Sequence, residues 1–408
     1  MKIIVIGGGA SGLFCSGHLA SKGHDVILLE QGDAFGKKIL ITGNGRCNLT
    51  NLCDKDEFLR NIPKNPKFLY PSLEVQSPED TVQWFVSHGL PTKVEEKNRV
   101  LPKSERASDV VDCLVAFCEK NGVKCNLNEK VNEIIVENER VSAVVTTKNT
   151  HLAEAVVVAT GGLSFPKTGS TGDGYRFAET MGHTIAKPVA SLVALETNEK
   201  NWDQLMGVSL QDVKVTLWQG EKAVLHEVGD VMCTHFGVSA PLIFTLSAHM
   251  KENKSYRLTV DFQREYAIEQ LEKKILEQFM NEQKKELETL LQSWVPKKIA
   301  LYLIETLAIP PHTKVNHITK EQRQALVMSI KKFPIAITQK RPIAEATITR
   351  GGVSVKEIDP KTMQSKKVSG AYFIGEVLDL DGYTGGFNLQ IAWATAVRMA
   401  RSFESHEV

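Results

Sequence analysis

Lys2-Ile3-Ile4-Val5-Ile6-Gly7-Gly8-Gly9-Ala10-Ser11-Gly12 is the stretch whose reading decides the fold. Met1 to Ile6 is a short β-branched run that reads as a buried strand. Glycines 7, 9 and 12 follow at once in the pattern G-x-G-x-x-G. Leu13 to Lys22 reads as a helix ended by Gly23, and Asp25 to Leu29 as a second strand with Glu30 at its end. Each residue type has a reason. Gly7 allows a tight turn, Gly9 lets the backbone approach a pyrophosphate, and Gly12 lets helix and strand pack closely. Ala10 and Ser11 lie at the helix N-terminus, which faces the anion. Glu30, eighteen residues beyond Gly12, is placed to accept hydrogen bonds from a ribose diol. A glycine-rich turn in an unrelated α/β domain is the competing reading, and the strand–turn–helix–strand–acid order favours a dinucleotide. The pattern alone does not separate FAD from NAD.

Two further segments bear on that choice. Gly36 to Asn51 packs glycines, basic residues and amides close behind the acidic strand end. Backbone amides freed by glycine, with Lys38 and Arg46, suit a pyrophosphate or an electron-rich ring; a solvated loop is the alternative. Cys47 and Cys53 are separated by five residues, which does not match the spacing of a redox disulfide, so two reduced cysteines are expected. Near the other end, Ser369 to Ile374 reads as a strand, followed by a glycine-rich block from Gly375 to Gln390 and a helix from Ile391 to Arg401. An acid in that block can hold a ribityl hydroxyl, a role read for Asp379. The helix N-terminus can stabilise negative charge on the flavin N1–C2=O edge. This arrangement is what FAD needs.

At this point the sequence resembles the bacterial NAD(FAD)-utilising dehydrogenase-like flavoproteins (BaiN-like or YhiN-like). The resemblance covers nearly the whole chain. It rests on Gly7–Gly12, Thr42–Asn48, Ala159–Gly162 with Pro166–Gly174, Thr234–Ser239, Thr349–Val353, Thr362–Lys366 and Gly375–Leu389. It implies FAD in a Rossmann-like (glutathione-reductase-like) domain carrying an inserted β-barrel domain and a small helical domain. The expected FAD contacts are Gly7, Gly9, Ala10, Ser11, Gly12, Glu30, Lys38, Thr42, Gly45, Arg46, Cys47, Asn48, Val131, Ala159, Thr160, Gly161, Gly375, Glu376, Asp379, Gly386, Asn388 and Leu389. The resemblance puts the backbone at Val131 against the adenine, and has Ala159-Thr160-Gly161 return the chain to the dinucleotide. Activities assigned within the family include amine oxidation and enone reduction. Two departures stand out: Ala240, where the pattern tends to glycine, and Ala394-Thr395-Ala396-Val397-Arg398 in place of smaller residues.

The rest of the chain gives the organisation. Residues 131–136 and 141–146 read as strands joined by a turn at Glu137–Arg140, and Leu152–Val158 as another strand. Asp173 reads as the cap of a helix through Met181. Val213–Trp218 and Ala223–Val228 alternate as antiparallel strands do. Glu265–Phe279 and Gln283–Leu291 read as charged helices, Pro296 as the start of another, and Thr319–Lys331 as one more. Strands are read again at Pro334–Thr338 and Ala344–Thr349. The expected domains are a discontinuous α/β FAD domain (1–190 and 345–408), a β-barrel (191–262 and 315–344) and a helical subdomain (263–314).

Only one dinucleotide fingerprint is present, so NAD(P)H, if it is the donor, binds transiently at the flavin face. The net charge of +1 is not that of a protein living on phosphate backbones, so no nucleic-acid partner is expected. No apolar run has transmembrane length. No Cys/His cluster has metal spacing. A cytoplasmic FAD-dependent oxidoreductase acting on a small molecule is the leading reading. A flavoprotein that binds or modifies nucleic acid, and a non-catalytic flavin sensor, are the alternatives. In the insertion, His235 could move a proton during hydride transfer, or only pack. Arg350 could hold an anionic substrate group bidentately, or form an ion pair across the domain seam.

Overall fold

The computed structural model describes residues 1–403; the end of the expected flavin segment, 404–408, lies outside the described residues. The chain divides into two compact units, one of Met1–Ser191 with the chain from Ile343 onward, the other of Leu192–Pro342.

The first unit is built on a five-stranded parallel sheet, in the order Ala371–Phe373, Ala155–Val158, Lys2–Ile6, Asp25–Leu29, Lys124–Asn126. Ile4 sits between Val156 and Ile27 in register. A parallel sheet is covered on both faces, which is why its strands are continuous apolar runs. Ile3, Ile4 and Val5 are fully buried. Helices Ala10–Ala20, Ala107–Lys120 and Phe387–Arg401 pack around it. The two ends of the chain meet there: the rings of Phe14 and Trp393 lie 5.2 Å apart, edge to face. Small antiparallel sheets complete the unit, among them Val131–Glu137, Arg140–Thr146 and Thr150–Leu152.

Several boundaries differ from the sequence reading. The first helix starts at Ala10, three residues early, because tight packing at Ser11 and Gly12 outweighs the poor helix propensity of glycine. The last starts at Phe387 rather than Ile391, since left-handed Gly386 ends the preceding turn. Asp173 is the first helical residue, not the cap; Gly172 (φ +81°) precedes it. The run 152–158 is two strands in two sheets, broken at Ala153-Glu154. Ala344–Thr349 is a short helical turn followed by the strand Ile348–Val353. That strand absorbs Gly351 and Gly352, where a Cβ would meet Lys187 O at 2.4 Å and Val377 O at 2.5 Å.

The second unit carries a seven-stranded antiparallel sheet. The strands at its two ends, Phe333–Ile337 and Gln339–Lys340, are joined by Thr338 alone, so the sheet curls until the chain bridges its own edges. Helices Ile268–Asn281, Leu287–Leu291, Lys297–Thr306 and Lys320–Lys331 pack into the same core as the strands, with Val215, Leu258, Leu271, Ile275 and Leu303 all buried. Thr319 caps the last helix through Gln322 N, 3.2 Å away. Ala240 is fully extended, so the glycine of the family pattern is not required there.

Within the first unit, a buried hydroxyl–imidazole–carboxylate chain ties the Thr362–Lys366 motif to His183, in the N-terminal part of that unit. His183 Nε2 is 2.7 Å from Ser365 Oγ, and Nδ1 is 3.2 Å from Glu357. Ser365 Oγ also accepts the amides of Lys367 and Val368, so its lone pairs are occupied and the arrangement is a clamp, not a nucleophile. Burial lowers the His183 pKa below its usual 6.5, against the opposing pull of Glu357. The unfolded chain therefore takes up a proton first, and the stabilisation from neutral His183 is complete above pH 6.5 and drains as pH falls below it. Burial pushes Glu357 up, but hydrogen bonds from Lys367 and Thr184 outweigh it and hold it at about 2, so a second loss falls between pH 4.5 and about 2. The melting temperature should drop from pH 6.5 to 5, and His183→Asn should flatten that slope. Parallel slopes for the two proteins would refute the assignment.

Candidate functional site

The cradle begins where the first strand ends. Gly7 adopts φ +106°, and a Cβ there would meet Ala159 O at 2.6 Å. A Cβ on Gly12 would sit 1.9 Å from Gly7 O. Gly9 differs: nothing lies within 4 Å of its missing Cβ, so the space above it is open. Gly9 is the helix cap and its helix has no side-chain cap and no acid in the first turn, leaving the amides at Ala10, Ser11 and Gly12 directed at that space. These features fit the pyrophosphate of a dinucleotide.

Glu30 is buried, and its two carboxylate oxygens accept the amides of Gly8 (2.8 Å) and Gly32 (2.7 Å). Its backbone carbonyl accepts Glu129 N at 2.9 Å, which brings Val131 within two residues of the acid. Glu129 is itself held by Asn126, Thr146 and His151. Ala159 N bonds Ile6 O, setting Ala159-Thr160-Gly161 beside Gly7.

The C-terminal block closes on the same helix. Gly375 has φ +72°, and a Cβ there would lie 2.6 Å from Ser11 Oγ. Gly386, at φ +101°, abuts Thr50 O at 2.4 Å from its missing Cβ. Trp393 Nε1 donates to Leu49 O (2.9 Å), Thr50 Oγ1 to Gln390 (2.7 Å) and Asn51 to Gly385 O (3.0 Å). Cys47 and Asn48 are thereby drawn beside Gly386–Leu389. Asn48 Oδ1 and Thr160 Oγ1 are buried without a hydrogen-bond partner, and Thr160 Oγ1 lies against Gly174, 2.1 Å from its missing Cβ.

The basic side chains are disposed differently from the expectation that they face phosphate. Lys38 pairs with Glu376 at 2.8 Å, and Glu376 also accepts Thr349 N. Arg46 pairs with Glu95 and Glu105. Thr42 Oγ1 bonds Ile39 O, and left-handed Gly43 and Gly45 shape the turn around it. Asn388 clasps its own loop at Gly382 and Tyr383. Asp379 is 2.7 Å from Lys64 Nζ and also bonds Asn65. Cys47 and Cys53 are both free thiols, and burial pushes them up to about 12 and about 11, so neither is a reactive thiolate.

Arg350 engages Asp381 within the first unit, through Nε at 2.9 Å and Nη2 at 2.7 Å. His235 lies in the second unit, exposed at the tip of a turn. Trp202 Nε1 bonds Thr234 O and Thr234 Oγ1 bonds Gly237 O, fixing the base of that turn. The His235 ring stands edge-on to Phe236 at 5.0 Å, and Arg341 covers the other ring at 4.6 Å. Asp381, Lys64, Asn65 and Ser191 escaped the sequence reading. Only the Asp-x-Asp repeat in the block hinted at the first.

Residues 1–402 match the HI0933-like protein Rossmann domain. The chain is 33% identical over 404 residues to a ribosomal RNA dihydrouridine synthase of Haemophilus influenzae, covering 98% of this chain and 97% of that one. It is 31% identical over 415 residues to a 3-dehydro-bile acid delta(4,6)-reductase of Clostridium scindens, covering 98% of both. A ribosomal RNA dihydrouridine synthase of Escherichia coli is 30% identical over 400 residues, covering 96% of this chain and 95% of that one. Among solved structures, a 3-ketosteroid delta1-dehydrogenase from Sterolibacterium denitrificans shares the fold, with TM-score 0.53, 15% identity and 98% coverage of both chains.

The two kinds of glycine predict different failures. Gly12→Ala should destabilise the apo-protein itself, since its methyl meets backbone. Gly9→Ala should leave the apo-protein's melting temperature unchanged yet weaken FAD retention at least about tenfold, roughly the loss of one charge-assisted hydrogen bond. Gly9→Ala protein that purifies with full FAD would show that the pyrophosphate lies elsewhere.

Proposed function

The chain belongs to the HI0933-like family and is an FAD-dependent oxidoreductase, and from that premise we propose that it adds two hydrogens across a carbon–carbon double bond conjugated to a ring carbonyl. One observation carries this reading. The full-length relatives bear names for different substrates but for one type of reaction. Making dihydrouridine saturates the uracil double bond beside its carbonyl. A delta(4,6)-reductase acting on a 3-dehydro-bile acid removes unsaturation in conjugation with a 3-oxo group. None of these names describes amine oxidation.

Bound FAD supplies hydride transfer at its N5. The chain's own residues bind and orient it. The amides of Ala10, Ser11 and Gly12 take the pyrophosphate, Glu30 the ribose, and Val131 with Ala159-Thr160-Gly161 the adenosine end. The flavin half belongs to Gly45, Cys47, Asn48, Gly375, Asp379 and the amides from Gly386 to Leu389. Lys38, Arg46, Glu376, Thr42 and Asn388 keep those segments in shape. NAD(P)H, for which the sequence carries no second glycine fingerprint, serves as a transient electron donor at the flavin face. His235 delivers the proton that the carbon next to the carbonyl takes up, a role that suits an exposed imidazole on a turn whose base is held by Trp202 and Thr234.

A second reading concerns where the ring is found. Two of the relatives are named for ribosomal RNA, which favours a uracil base within RNA over a free small molecule, despite a net charge of only +1. With NADPH present, the enzyme should be offered unmodified ribosomal RNA transcripts in one arm and a 4,6-dien-3-one steroid in the other. Dihydrouridine in the first or loss of dienone absorbance in the second identifies the source. Turnover of neither, with flavin that NADPH readily bleaches, would sink the conjugated-ring reading. His235→Gln should slow substrate-dependent reoxidation of the flavin by about 100-fold or more while FAD stays bound. An unchanged rate would remove His235 from the chemistry.

A further inference from the structure

The block Gly375–Leu389 holds two buried aspartates whose surroundings differ. Asp379 is 6% exposed and paired with Lys64. Asp381 is 1% exposed, and its hydrogen bonds fall on one oxygen. Oδ2 takes Arg350 Nε at 2.9 Å, Arg350 Nη2 at 2.7 Å and Ser191 Oγ at 3.2 Å. Oδ1 is buried and has no donor. A guanidinium fork commonly spreads over both oxygens of a carboxylate. Here both prongs meet one oxygen and the other is left bare.

A buried carboxylate oxygen that has lost water and gained nothing is destabilising, and a fold keeps one only for a reason. The surroundings hold it rigidly. Arg350 and Ser191 come from the paired strands Ile348–Val353 and Ile185–Ser191. Asn388 clamps the next residue from both sides, accepting Gly382 N at 2.8 Å and donating to Gly382 O at 2.7 Å. The oxygen therefore has a fixed position, a negative charge and no partner from the protein, in the block that closes on the fingerprint helix.

We infer that Asp381 Oδ1 is the acceptor for an N–H or O–H donor on the flavin half of FAD, and that Arg350 is a positioning residue that turns the carboxylate to meet it. A ribityl hydroxyl and the flavin ring N–H share this chemistry. Arg350 then acts on the cofactor through Asp381.

The test uses apo-protein titrated separately with FAD and with ADP, followed by the midpoint potential of the reloaded flavin. Asp381→Asn should raise the FAD dissociation constant by about 10- to 100-fold, the effect of losing one charge-assisted hydrogen bond. ADP binding should stay as in the wild type, and the apo-protein should still melt cooperatively, at a lower temperature because Arg350 loses its charged partner. A raised midpoint potential in the variant assigns the contact to the ring N–H, because a negative charge beside the reduced flavin has been removed. An unchanged potential with weakened FAD assigns it to the ribityl chain. Asp381→Glu, which keeps the charge and moves it by one methylene, guards against a folding defect in the first variant and should show the same FAD-specific loss. Arg350→Lys should give a smaller loss in the same direction. FAD affinity and potential matching the wild type in both Asp381 variants would overturn the inference. So would equal weakening of FAD and ADP in a protein that melts cooperatively.

Discussion

A methyl group on Gly12 would lie 1.9 Å from the carbonyl oxygen of Gly7, and the first unit is organised around that contact staying bare. The helix can approach the strand end only because neither residue has a side chain in the way. That approach leaves the helix terminus uncapped by any side chain and directs its amides into open space above Gly9. Gly375 repeats the same condition against Ser11, so the far end of the chain reaches the same helix. Two distant glycine-rich segments thus form one cradle through steric permission. No charge is needed to bring them together.

The charges serve the scaffold. Lys38, Arg46 and Lys64 each meet a carboxylate of another segment. A basic side chain so engaged is a poor phosphate ligand, but it fixes the loop that carries the backbone amides. Amides in a fixed loop lose no rotamer freedom on binding, whereas a free lysine gives up much of its own. This division of labour agrees with a chain whose acidic and basic residues nearly cancel.

Two arrangements resemble reactive groups and are not. Cys47 lies within the expected flavin segment and Cys53 just beyond it, yet burial keeps both as thiols. Ser365, His183 and Glu357 line up as hydroxyl, imidazole and carboxylate, yet two backbone amides already occupy the serine oxygen. In both cases residue type and order suggest chemistry, and the environment withdraws it.

The sequence by itself determined the dinucleotide fold. Its signals are local: a β-branched run, glycines at 7, 9 and 12, an acid at 30, and a second glycine-rich block before an alanine-rich helix. Each reports a backbone requirement met within a few residues, and the parallel strands announce themselves as unbroken apolar runs. The change from continuous to alternating hydrophobicity beyond about residue 190 was visible for the same reason. Partners brought together across long separations were decided only by the tertiary structure. Lys38 finds Glu376 across 338 residues, and Ser191 and Arg350 converge on Asp381 through strand pairing that no local pattern encodes. Long side chains choose partners by proximity after the backbone has folded. The sequence could therefore name Lys38, Arg46 and Arg350 as basic and well placed, but which anion each one meets was left to the packing.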